Sequence, residues 1–118
     1  MADRAAGNMK ATIYHNPRCS KSREALALLT AAGADVTVVE YLKTPPTADD
    51  LRRLFARAGM SARQGLRGSD AAAHLRDADD ATVVEAMLAD PSLIERPLVE
   101  TEKGVVLARP PERVHAIL

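Results

Sequence analysis

The chain of 118 residues holds one cysteine, Cys19, in the run Tyr14-His15-Asn16-Pro17-Arg18-Cys19-Ser20-Lys21-Ser22-Arg23. A free thiol has a pKa near ~8.5, so only about 3% is thiolate at neutral pH, whereas a fall of about two units makes most of it nucleophilic. Arg18, Lys21 and Arg23 bracket the sulfur, and the run stands at the edge of a helical pattern. Cations and helix-start amides are the two agents that supply such a fall. An unpaired cysteine is otherwise a small buried hydrophobe; this charged setting favours a reactive thiol.

What the neighbourhood lacks narrows the chemistry. A Cys-x-x-Cys redox pair needs a thiol at position 22, which is Ser22. A phosphatase-type loop needs Arg six positions after the cysteine, where Ala25 stands, and the nearest downstream arginine is Arg23. His74 and His115 have no Asn or Asp partner motif that would make either the base of a cysteine protease, and they read as solvated surface residues. One cysteine excludes disulfide frameworks and multi-cysteine zinc or iron–sulfur patterns, and Cys19 with His15 alone has too few ligands for a metal. What remains is a monothiol nucleophile whose adduct or oxidised form is cleared by an outside thiol, such as glutathione or a partner protein. His15 is either a turn histidine bonded to backbone or a group that tunes the thiolate.

Composition sets the rest of the frame. Lys+Arg and Asp+Glu both number 16, for a net charge of zero, and aromatics are 3% with no Trp. Neither a polyanion-binding surface nor a base-stacking platform is suggested, so nucleic acid and membrane are not expected partners. No apolar run approaches the length of a membrane span. Residues 1–8 read as a flexible leader ahead of one domain at 9–118, in a cytoplasmic protein.

The thiol has to be held by elements the pattern also shows. Ala11-Thr12-Ile13-Tyr14 is a strand closed by Asn16-Pro17. Ala25, Leu28, Leu29 and Ala32 mark a helix that Gly33 ends, and Val36-Thr37-Val38-Val39 is a second strand, completing a right-handed βαβ unit. Thr47 with Asp50 opens a second helix as a capping box, with Leu51, Leu54, Phe55 and Ala58 inward and Gly59 at its end. Residues 65–80 are partly irregular. A third helix runs from Asp80 to Ala89 with Val84, Met87 and Leu88 inward, stopped by Pro91. Leu98-Val99-Glu100 and Val105-Val106-Leu107 flank a hairpin turn with Gly104 at a positive φ, and Pro110-Pro111 opens a last short helix. The order βαβ, helices, ββα is that of an α/β fold and resembles a thioredoxin-like mixed sheet with a helical insertion.

Three arginines stand out by placement. Arg96 precedes Pro97 at the start of the third strand, where thioredoxin-like folds set a cis-proline facing the active cysteine. Arg109 precedes Pro110 after the hairpin, and its planar fork suits a tetrahedral oxyanion. Arg67 lies in the insertion, in Gln64-Gly65-Leu66-Arg67-Gly68.

The run from Ile13 through Arg23, together with Tyr41-Leu42-Lys43-Thr44-Pro45-Pro46, Glu95-Arg96-Pro97-Leu98-Val99 and Ala108-Arg109-Pro110-Pro111-Glu112, resembles the glutaredoxin-dependent arsenate reductases, and a chromosomal relative among them most. The resemblance implies a thioredoxin-like fold and an oxidoreductase that takes arsenate to arsenite. Cys19 would be the catalytic thiol and His15 a catalytic histidine lowering its pKa. Arg67, Arg96 and Arg109 would bind the oxyanion, with Ser22, Arg23 and Pro97 supporting. It also implies glutathione as co-substrate, glutaredoxin as partner, no bound cofactor and no metal. Two other functions are open to the same residues: a thiol-transfer oxidoreductase, or a binding module like the related redox-linked transcription regulators, whose second switch cysteine is Ser22 here.

Overall fold

A computed structural model describes residues 9–118; the leader reading at 1–8 lies outside the described residues. Four strands form one mixed sheet in the order β2-β1-β3-β4: β1 (Lys10–His15), β2 (Asp35–Glu40), β3 (Leu98–Thr101) and β4 (Gly104–Leu107). β1 pairs with β2 in parallel and with β3 antiparallel, and β3 and β4 make the expected hairpin. This is the thioredoxin-like arrangement. Central position buries alternate residues of β1, Ala11, Ile13 and the polar His15.

Each face of the sheet carries its own core. Ala11, Ile13 and Val99 pack with Ala25 and Leu29 of helix α1 (Ser20–Ala31) and with Val114 and Ile117 of the last short helix, Pro111–Ile117, which is 3-10. On the opposite face Leu98 and Val105 meet Leu51, Leu54 and Phe55 of α2 (Ala48–Ala58) and Val83, Val84 and Met87 of α3 (Asp80–Ala89). Adjacent residues of β3, Leu98 and Val99, thus serve opposite cores, as a period of two requires.

Local signals set the helix boundaries. At the end of α1, Ala34 N donates to Leu29 O and Gly33 N to Thr30 O, the paired bonds of a Schellman ending, with Gly33 at φ 79. Thr47 and Asp50 close both bonds of the capping box on α2, and Gly59 ends it in the left-handed region. α3 departs from expectation on one residue: Val83 is buried while Leu88 is 37% exposed. That helix is apolar on nearly every side, so its own periodicity does not choose a buried face; the neighbouring core does.

The insertion contains two short 3-10 helices, Arg63–Gly65 and Asp70–Leu75. It is stitched to the segment before β3 by an isolated antiparallel bridge, Leu66 to Ile94, with Arg67 N on Leu93 O at 2.8 Å and Glu95 N on Gly65 O at 2.7 Å. α2 is locked to the sheet by Glu100, which accepts from Arg53 Nη2 at 3.0 Å and from Arg57 Nη1 at 2.7 Å. None of the described helices is long and apolar enough to cross a membrane.

Candidate active site

The turn between β1 and α1 sets the thiol. Asn16 Oδ1 accepts from Arg18 N and Asn16 O from Cys19 N, both at 3.0 Å, which folds the Asn-Pro segment back toward the sheet. Cys19 then occupies the N-cap of α1 in extended geometry, φ −92 and ψ 122, and no side-chain oxygen caps the helix. At an N-cap the side chain faces the amides two and three residues on. Those are Lys21 and Ser22, so the sulfur stands where a capping oxygen ordinarily does. Burial pushes the Cys19 thiol up, but the Ser22 amide, the Arg96 guanidinium and the Lys21 amide together outweigh it, leaving the pKa below the ordinary thiol value.

Two of the three cations flanking Cys19 in sequence are paired elsewhere. Arg23 Nη1 donates to Pro17 O at 3.0 Å, Lys21 Nζ stands 3.7 Å from Glu24 Oε2, and Arg18 is exposed. The guanidinium that acts on the sulfur comes from 77 positions later in the chain, at Arg96.

His15 reaches the thiol indirectly. Its Nδ1 lies 2.6 Å from Ser22 Oγ, a buried pair. Ser22 Oγ already accepts from Asn16 N at 3.1 Å, so its hydroxyl proton is free to donate to the ring, which fits a neutral imidazole protonated on Nε2. Burial draws the His15 pKa below its ordinary value, against an upward pull from Glu40 and with a further downward push from Arg23. A neutral ring lowers no thiol pKa by charge. Its contact is with Ser22, whose amide faces the sulfur.

The three sequence-distant arginines are gathered by backbone. Arg96 sits at the end of the 93–95 segment, 14% exposed, and the bridge to residues 65–67 brings Arg67 alongside. Arg109 follows β4, the strand beside β3, and its Nη1 donates to Arg96 O at 3.1 Å. Pro97 is fully buried, and both the Arg96–Pro97 and Arg109–Pro110 peptides are cis. Arg96 Nε is buried with no hydrogen-bond partner among the described residues. Such an orphan donor fits an acceptor supplied by a ligand.

Two members of the cluster escaped sequence reasoning, although both lie inside the motifs quoted above. Tyr41, 2% exposed, follows β2; burial raises its phenol above the ordinary value and Cys19 adds to this, while Arg96, a hydrogen bond with the Asn16 side chain and Arg67 oppose it. Its hydroxyl is therefore neutral at pH 7 and close to the thiol and two of the arginines. Glu95 places Oε1 3.6 Å from Arg96 Nη1 and 3.9 Å from Arg109 Nη1. Their sequence distance from Cys19 gave no local sign of this. Among the described residues no three His, Cys, Asp or Glu side chains cluster closely enough to hold a metal ion.

A thiol of lowered pKa beside an arginine cluster can, once ionised, attack a tetrahedral oxyanion. Residues 14–117 match the ArsC family. The arsenate reductase of Rhizobium meliloti (strain 1021) is 44% identical over 93% of this chain and 82% of its own length. A protein of Escherichia coli (strain K12) named YfgD and otherwise uncharacterized is 45% identical over 90% of this chain and 94% of its own. The solved arsenate reductase of Vibrio cholerae superposes with a TM-score of 0.87 at 40% identity, covering 93% of this chain and 98% of that one. By a match that runs from the end of β1 to the last helix, the chain belongs to the ArsC family.

Proposed function

We propose that this chain is an arsenate reductase working through a Cys19 thiol–arsenate adduct. The observation that carries the reading is the Cys19 thiol at a helix N-terminus, its pKa lowered with the help of Arg96, a residue whose Nε has no acceptor among the described residues. The thiolate attacks arsenic, a sulfur–arsenic bond forms, and one hydroxyl takes up a proton and leaves as water. Arg67, Arg96 and Arg109 hold the oxyanion oxygens and offset their charge. His15 is a positioning residue that fixes Ser22, Arg23 braces the Asn-Pro turn through Pro17, and Pro97 carries Arg96 into place.

With one cysteine in the chain, the electrons come from outside. Glutathione attacks the adduct and glutaredoxin resolves the mixed species, so that arsenate and two thiols give arsenite, water and a disulfide. A cleft of about 450 Å³ beside the thiol turn, lined by His15, Asn16, Arg18, Glu40, Leu42 and Lys43 among others, offers a peptide thiol room to dock there. This chemistry belongs in a reducing cytoplasm and uses no bound cofactor.

Assay of glutathione- and glutaredoxin-dependent arsenate reduction tests the reading. Cys19→Ser is expected to abolish it; full activity in that variant overturns the mechanism. Turnover of a glutathione mixed disulfide without arsenate turnover assigns the thiol to transfer chemistry instead.

A further inference from the structure

Asn16 is bonded to the residues on either side of Cys19, and no step above uses its side chain. Its N donates to Ser22 Oγ at 3.1 Å, in the first turn of α1, and its O accepts from Cys19 N at 3.0 Å. Its Oδ1 accepts from Arg18 N, also at 3.0 Å. A backbone N–H only donates, so the Asn16 amide nitrogen is turned the other way, where the side chain hydrogen-bonds with the Tyr41 hydroxyl. Tyr41 and Asn16 stand one place beyond the last rung of the β1–β2 ladder, His15 with Glu40. The Tyr41 ring is buried in the core with Leu51 and Leu54 of α2, so the far end of the amide is anchored in packed structure.

We propose that Asn16 is a positioning residue for the reacting thiol: its side-chain amide, held between the Tyr41 hydroxyl and Arg18 N, fixes the turn that sets the Cys19 sulfur against the Lys21 and Ser22 amides. The inference rests on Cys19 being the thiol of the proposed reduction. Between Asn16 and Cys19 the chain has two residues. The ring of Pro17 fixes its own φ, and Asn16 Oδ1 holds the amide of the other, Arg18. Cys19 then leaves the turn at φ −92 and ψ 122, and its O accepts from Arg23 N at 3.0 Å as α1 begins. A hydrogen bond depends on direction as well as distance, so a turn free to swing costs the thiolate its amide donors even with the helix intact. The backbone bonds from Asn16 to Cys19 and Ser22 survive truncation of the side chain, whereas those to Arg18 N and Tyr41 do not. Asn16→Ala therefore isolates the amide.

The rate of iodoacetamide alkylation of the full chain, followed against pH, tests this, because the single cysteine makes the midpoint that of Cys19. Asn16→Ala is expected to move the midpoint to higher pH. Asn16→Ser, whose hydroxyl accepts the same turn bond more weakly, is expected to give a midpoint between the alanine and native ones. His15, Tyr41 and Arg96, the titratable and charged groups around the thiol, are unchanged in all three proteins. A midpoint unmoved in folded Asn16→Ala, even with a lower melting temperature, overturns the role, as does a serine midpoint as high as the alanine one. If the alanine variant does not fold, a serine midpoint equal to the native one overturns it. The acid limb of kcat/KM for arsenate is expected to move with the midpoint and by the same amount. A limb that stays while the midpoint moves overturns Cys19 as the thiol of the reduction and leaves the placement of its sulfur by Asn16 standing.

Discussion

Cys19 takes its reactivity from a helix start and from one arginine, and the two contributions are separable. Arg96→Met leaves the Lys21 and Ser22 amides in place and removes the guanidinium, so the thiol midpoint is expected to rise. Titration of the thiolate ultraviolet absorbance reads this directly; an unmoved midpoint would assign the whole effect to the helix. The sign carries into stability. A folded thiol pKa below the unfolded one means the thiolate's contribution is full above the unfolded pKa and is lost as pH falls through the folded pKa. Arg96→Met narrows that window from its acid side. The reactive cysteine was legible in sequence because its turn, its helix and the missing partner at Ser22 are all local. Its tuning was not: the Lys21 and Arg23 side chains are near in sequence but paired elsewhere, whereas Arg96 arrives through tertiary contacts.

At the scale of elements, one carboxylate of β3 holds two arginines of α2. Glu100 is 16% exposed and shared by Arg53 and Arg57, with Arg57 Nη2 also on Thr101 O at 2.9 Å. Burial pushes the Glu100 carboxyl up, but the two arginines outweigh it and hold it below the usual range. Its stabilisation is therefore complete above the unfolded carboxyl pKa and is lost as pH falls through the folded one. Glu100→Gln is expected to cost about 2–3 kcal/mol near neutral pH and to flatten the acid limb of the stability curve. Urea unfolding across pH checks it; an undiminished acid limb would remove Glu100 as its source. Element boundaries were readable where a short side-chain signal sets them, as at Thr47, Asp50, Gly33 and Gly59. The orientation of α3 was not, because an almost wholly apolar helix carries no internal sign of which side its neighbours will cover.

Over the whole molecule, the core under α2 and the insertion meet the site at Gly65. An added Cβ there would collide with the Phe55 ring, with Cζ only 2.7 Å away, and Phe55 is buried in the α2 core. Neither side can yield cheaply, so Gly65→Ala is expected to destabilise by about 1–3 kcal/mol. The same displacement pulls on the Gly65 carbonyl that holds Glu95 and on the nearby Arg67. A raised KM for arsenate with an unchanged Cys19 titration is therefore expected from steady-state kinetics. A lower melting point with KM unmoved would limit Gly65 to packing. The pairing of residues 65–67 with 93–95 also bears on heredity. Its bonds run between main-chain atoms and carry no side-chain information, so outside Gly65, where a side chain would collide with Phe55, residues around Arg67 can be exchanged over generations without resetting its spacing from Arg96. The distance between two charges is inherited from a ladder rung, and substitution in the insertion away from that glycine becomes a source of variation that leaves the anion cradle's dimensions alone.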